Sequence, residues 1–271
     1  MVFRVAAIVK TPVEAAAVLP KSPAKVQVWT PDTEAGNARA SACAAWESTI
    51  TSLRGDVSDP ATPWVAFESG ALLAQVCLIA PHTAAVGVVP AREALSLAAA
   101  GRSRMRRTGA APSRAAMKLD EAFEWARMTP EKGDLCVDLG SAPGGWTRRL
   151  VERGARVLSV DPGVLTPDLM KHPKVRHFRE SAFAFVPPQP CDWLLCDMAW
   201  RPLEVALLLA KWARNRWATH LVANLKLPMK DKLPLVWRAR SVLEAAGWSA
   251  LHIRQLYHDR DEVTVRAVSV G

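Results

Sequence analysis

The sequence has no cysteine pair, no long apolar run and no clustered metal ligands, and each absence closes a class of protein. Its five cysteines, Cys43, Cys77, Cys136, Cys191 and Cys196, are odd in number and none forms a C-x-x-C pair. They read as reduced thiols, with neither a disulfide frame nor a zinc site implied. The longest apolar stretch, Ala71 to Ala80, is ten residues with Gln75 inside it, well short of a bilayer span. The N-terminus carries only a short apolar run before Lys10 and reads as a strand rather than a secretory signal, so a cytoplasmic location is expected. His258 with Asp259 and Asp261 reads as a polar loop, and no metal is expected.

What the chain does have is apolar material and positive charge. Half of its 271 residues are hydrophobic and 23% are charged, so it folds. The formal charge is +9, which suggests a polyanionic partner or an acidic surface. That charge is uneven: residues 1–100 carry a net −1 and residues 101–271 a net +10. Arg102, Arg104, Arg106, Arg107 and Arg114 lie in a tract without an acid, where self-repulsion is relieved by a partner, and they are the candidate nucleic-acid contacts. Residues 201–240 hold nine basic side chains against two acids, interleaved with Trp212, Trp217 and Trp237. Those tryptophans belong either to the core or to base stacking.

The patterning divides the chain in three. Residues 1–100 form a small α+β module, with strands near Phe3–Val9, Lys25–Trp29, Leu72–Ile79 and Val86–Val89 and a helix within Ala38–Leu53. Residues 101–112 form a basic linker ending at Pro112, and Ser113 is placed to cap a helix. Residues 113–271 alternate strand and helix, with near-continuous apolar strands at Leu135–Asp138, Arg156–Val160, Trp193–Cys196 and His220–Asn224. This predicts a doubly wound, mostly parallel sheet that binds ligands at the carboxyl ends of its strands.

A glycine-rich turn, Asp138-Leu-Gly-Ser-Ala-Pro-Gly-Gly-Trp146, follows the first of those strands. It lacks G-x-G-x-x-G spacing and has no lysine for a triphosphate, which disfavours NAD and ATP. Asp161 ends the next strand, where an acid accepts ribose hydroxyls. Asp138 toward an amino group and Asp161 toward a ribose suit S-adenosylmethionine. Candidate cofactor contacts are Asp138, Gly140, Ala142, Pro143, Gly144, Gly145, Trp146, Asp161, Ser181 and Asp197.

This loop resembles that of FtsJ-type 2′-O-ribose RNA methyltransferases. Pro112-Ser-Arg-Ala-Ala-Met-Lys-Leu119, Cys196-Asp-Met198, Asn224-Leu-Lys-Leu-Pro-Met-Lys230 and Gln255-Leu-Tyr-His-Asp-Arg-Asp-Glu-Val-Thr-Val265 are similar to the RlmM group, which methylates a cytidine ribose of 23S ribosomal RNA. The resemblance implies a Rossmann-like methyltransferase domain and a Lys118, Asp197, Lys226, Glu262 catalytic tetrad with Lys226 as general base. Crowding by Lys118 and desolvation are expected to lower the Lys226 pKa toward neutrality, against the opposing pull of Asp197 and Glu262.

The chain departs from the group's pattern in two ways. Ser181 stands where an Asp usually meets the adenine, implying weaker cofactor binding. The N-terminal portion is short and resembles, more loosely, a THUMP domain. These departures motivate an alternative, a ribosome-associated RNA-binding protein with a decayed cofactor site. A third reading is a base methyltransferase with Cys196 as covalent nucleophile.

Overall fold

The computed structural model describes residues 7–20, 24–54, 72–94, 97–99 and 114–269. Contacts divide the chain into two compact units, Met1–Arg104 and Met105–Gly271.

The first unit orders its elements as β1 (Ala7–Val9), α1 (Pro12–Val18), β2 (Ala24–Trp29), α2 (Glu34–Asn37), α3 (Ala42–Arg54), β3 (Leu72–Ala80) and β4 (Thr83–Pro90). Its sheet runs β1-β4-β3-β2, with β2 and β3 parallel and the other pairs antiparallel. Ile50 of α3 and Ala15 of α1 pack on Val26, Val28, Val76 and Val86. Helix α1 is absent from the sequence reading, yet its signal is there. Thr11 accepts from the Glu14 N–H at 3.1 Å while Glu14 takes the Lys10 N–H at 2.8 Å, a reciprocal cap with Pro12 in the first turn.

The second unit contains α4 (Arg114–Ala126), β5 (Leu135–Leu139), α5 (Gly145–Glu152), β6 (Arg156–Val160), α6 (Pro167–Met170), β7 (Val175–Phe178), β8 (Cys191–Cys196), α7 (Pro202–Arg214), β9 (Ala218–Lys226), α8 (Lys232–Ala245), β10 (Trp248–Arg254) and β11 (Glu262–Ser269). Seven strands lie in the order β10-β11-β9-β8-β5-β6-β7. All neighbours are parallel except β11, which runs antiparallel to both β9 and β10. The unit is thus an α/β Rossmann-like domain. The apolar face of α4, Ala116, Leu119, Phe123 and Ala126, is buried against Trp146, Leu150 and Trp193.

Of the three tryptophans, two belong to the core and one does not. Trp212 is fully buried, with Trp217 edge-on to it at 5.5 Å, whereas Trp237 is exposed on α8. The basic tract Arg102, Arg104, Arg106 and Arg107 lies outside the described residues, as does the side chain of Arg114 at the start of α4.

Candidate functional site

Four charged side chains from four elements meet at the carboxyl edge of the large sheet. Asp197 follows β8, Lys226 ends β9, Glu262 opens β11, and Lys118 comes from α4. Lys226 Nζ donates to Asp197 Oδ1 at 2.8 Å and to Glu262 Oε2. Lys118 Nζ pairs with Glu262 Oε1 and lies 4.0 Å from Asp197 Oδ2. Each ammonium thus faces both carboxylates in a closed, formally neutral ring. Chain geometry explains the assembly: Lys226 and Glu262 are directly paired in the β9–β11 register, so their side chains share one face of the sheet.

The expected lowering of the Lys226 pKa is not what the ring produces. Burial disfavours its ammonium, but Asp197 and Glu262, hydrogen-bonded to it, outweigh that penalty and hold the pKa above its ordinary value. The like charge of Lys118 is neutralised within the ring, because Glu262 binds both ammoniums.

Behind the ring stand residues the sequence reading passed over. Asn224 Nδ2 reaches Asp197 Oδ1 at 3.4 Å, and Thr264 Oγ1 lies 2.9 Å from Asn224 Oδ1 and 3.0 Å from Asp259 Oδ2. The signal was period two. Asn224 and Lys226, and likewise Glu262 and Thr264, fall on the same strand face. Glu121, buried on α4, accepts the Tyr257 and His258 N–H groups at 2.7 and 2.8 Å, tying the Lys118 helix to the loop before β11.

The glycine loop lies beside this ring. Gly140 adopts a φ of +78°, and a Cβ there would sit 2.7 Å from Met198 Cγ; Gly144 has a φ of +115°, and a Cβ there would sit 2.2 Å from Leu169 Cδ1. Only glycine fits either position. Asp161 accepts from Ala142 N at 3.2 Å and from Gly163 N at 2.6 Å, which fixes its carboxylate at the end of β6. Ser181 is exposed beyond β7, and its hydroxyl accepts from Phe183 N at 3.3 Å. Gly145 opens α5 behind the exposed Pro143.

Two loop residues have buried side chains. Asp138 is fully buried and accepts from Thr147 Oγ1 at 2.7 Å, so it braces the loop from beneath. Its burial pushes its pKa up to about 7. Trp146 points away from the loop into the core under α4, with its indole N–H on Ala115 O at 2.8 Å, so its side chain docks the Lys118 helix. Cys196 is wholly buried, and burial pushes its thiol up to about 12, which removes it as a nucleophile.

Among the described residues no group of three His, Cys, Asp or Glu side chains could hold a metal ion, and no helix is long and apolar enough to cross a membrane. The glycine cradle and the Asp161 carboxylate fit a nucleoside-bearing ligand.

Residues 111–215 match the FtsJ-like methyltransferase family. The Ribosomal RNA large subunit methyltransferase M of Teredinibacter turnerae is 45% identical over 192 residues, covering 66% of this chain and 54% of that protein. Its namesake from Halorhodospira halophila is 45% identical over 172 residues, covering 62% and 50%. The chain spans about half the length of the curated relatives it matches. A solved Streptococcus thermophilus protein described as a hemolysin shares the fold, with a TM-score of 0.51 at 15% identity over 76% of this chain and 81% of that one. The Met105–Gly271 unit is thus Rossmann-like in fold and, over residues 111–215, similar in sequence to the FtsJ-like methyltransferase family.

Proposed function

We propose that this chain transfers a methyl group from S-adenosylmethionine to a ribose 2′-hydroxyl of RNA, a cytidine of 23S ribosomal RNA, in the cytoplasm. The closed ring of Lys118, Asp197, Lys226 and Glu262 carries the reading. A site decayed to RNA binding alone has no reason to keep two partly buried ion pairs in register. The relatives' names supply the substrate class.

Gly140, Gly144 and Asp161 hold the cofactor, which supplies an electrophilic methyl group. A ribose hydroxyl is a weak nucleophile, so its proton must go to a positioned base. Lys226 takes that role. At rest it is an ammonium and must first release a proton, and any positive charge brought beside it favours that release. Asp197 and Glu262 aim its amine, and Lys118 balances their charge. The arginines of residues 101–114 contact RNA phosphates, and the first unit acts as a THUMP-like module.

The test is methyl-labelled cofactor with 23S RNA followed by nuclease digestion. Label on a cytidine ribose, abolished by Lys226→Ala, is the expected result. Label on a base, or none in RNA, rejects the reading.

A further inference from the structure

Each strand that delivers a ring residue also carries, in the adjoining loop, one exposed apolar or aromatic side chain and one exposed basic one. Trp200 and Arg201 follow Asp197 after β8, Met229 and Lys230 follow Lys226 after β9, and Tyr257 and Arg260 precede Glu262 before β11. Trp200 is 51% exposed, Met229 91% and Tyr257 48%. Three large apolar groups left in water around one charged centre mark a contact surface.

These side chains do not sit on loose loops. The Trp200 indole donates to Glu204 at 2.6 Å, and its ring lies 5.6 Å from Phe183. The Tyr257 backbone is held by Glu121, and Asp261, next to Glu262, pairs with Lys232 at 2.6 Å where α8 begins. The Trp200 and Tyr257 parts of the rim are therefore set before any ligand arrives.

We infer that this rim holds an unpaired nucleotide, its base against Trp200, Met229 and Tyr257 and its flanking phosphates on Arg201, Lys230 and Arg260. The chain then takes RNA as a single strand, or with the target nucleotide turned out of a helix. The inference rests on the RNA reading above. An aromatic or thioether surface offers its energy to the flat face of a base. In a duplex those faces are stacked away, and an A-form minor groove presents sugars and phosphates instead. A rim of three apolar groups gains nothing from that surface, whereas the alternating cations suit a backbone that threads past a splayed base. An acidic protein would match the cations but not the need for a flat face beside the lysine that receives the ribose proton.

The experiment uses the full chain with labelled cofactor, 23S RNA, and a synthetic oligocytidine either alone or annealed to its oligoguanosine complement. Met229→Ala and Tyr257→Ala are each expected to raise KM for 23S RNA roughly tenfold, with kcat and the cofactor Kd held and Tyr257→Phe restoring KM. The wild-type chain is expected to bind the single strand at least tenfold more tightly than the duplex. Unchanged KM in both variants, or equal binding of strand and duplex, overturns the rim while methyl transfer stands. A wild-type chain that labels no RNA overturns the RNA reading, and the rim with it. A dimer of the wild type that Met229→Ala dissociates makes the rim a self-association face and overturns the inference.

Discussion

Lys226 and Glu262 stand directly opposite each other across the β9–β11 pairing, and Glu262 spends its other carboxylate oxygen on the ammonium of Lys118. One buried acid therefore holds two partly buried bases, and the ring depends on it more than on any other member.

Glu262→Gln leaves two ammoniums facing one carboxylate. Breaking a buried pair this way costs about 3 kcal/mol, roughly 6–12 °C in Tm for a unit of this size. Methyl transfer should fall at least about 100-fold, an expectation for loss of a charge that aims the base. The double variant Lys118→Met/Glu262→Gln restores charge balance, so it should recover Tm without recovering activity. A thermal scan with a parallel rate measurement checks both, and a single variant that melts like wild type rules the arrangement out.

The carboxylates also set where Lys226 titrates. Its pKa is held above its ordinary value of 10.5, so its contribution to stability is complete below that pH and is lost only as pH rises through the higher folded value. Near neutrality the ring therefore adds no pH dependence to folding through Lys226. Activity differs, because the free amine is the working form. Asp197→Asn removes one carboxylate, so the ascending limb of kcat/KM, which follows deprotonation of Lys226, should move roughly one unit lower even as the maximum falls. Limbs that coincide in the two enzymes would count against Lys226 as the base.

Much of this site was legible in the chain, and what was not has physical causes. Strand ends and the glycine turn showed because apolar runs and φ-permissive glycines leave local marks. The ring's titration did not, because a pKa depends on distances between residues far apart in sequence, and Glu262 is 36 positions from Lys226. Nor did the packing of Trp146 show, because it lies in the motif by sequence while its side chain is buried against α4. The cap at Thr11 and Glu14 was readable and was passed over.

Asp138 provides a stability test. Burial raises its pKa to about 7, so the fold favours the protonated acid. That contribution is complete below the ordinary value of 3.8 and is lost as pH rises through about 7. Asp138→Asn cannot ionise, and its Tm should exceed that of wild type by several degrees at pH 8, with the gap closing toward pH 4. Equal pH profiles of Tm would show that Thr147 fully offsets the burial.

Ser181 is exposed and carries a neutral hydroxyl that, among the described residues, is engaged only by Phe183 N at 3.3 Å. A carboxylate accepts an amino group more strongly, so Ser181→Asp should tighten cofactor binding by roughly tenfold. Calorimetric titration with S-adenosylmethionine decides the point; a constant that stays put means the adenine is held elsewhere.

Thr264 has one hydroxyl hydrogen and two oxygen neighbours, Asn224 Oδ1 at 2.9 Å and Asp259 Oδ2 at 3.0 Å. It can donate to only one of them. Asp259 Oδ1 is buried without a hydrogen-bond partner among the described residues, a costly state for an anion, and burial pushes the acid up to about 6. When Asp259 is protonated, it donates to Thr264, Thr264 to Asn224, and Asn224 to Asp197, so every bond points toward the ring. When Asp259 ionises, the hydroxyl turns to it and Asn224 loses its donor. Thr264→Val cuts the chain at its middle without changing shape. It should lower kcat roughly tenfold, the cost of about one hydrogen bond to a charged network, leave KM for RNA alone, and erase any inflection of kcat near pH 6. A valine variant that keeps both the wild-type rate and that inflection would place the proton of Asp259 outside the reaction.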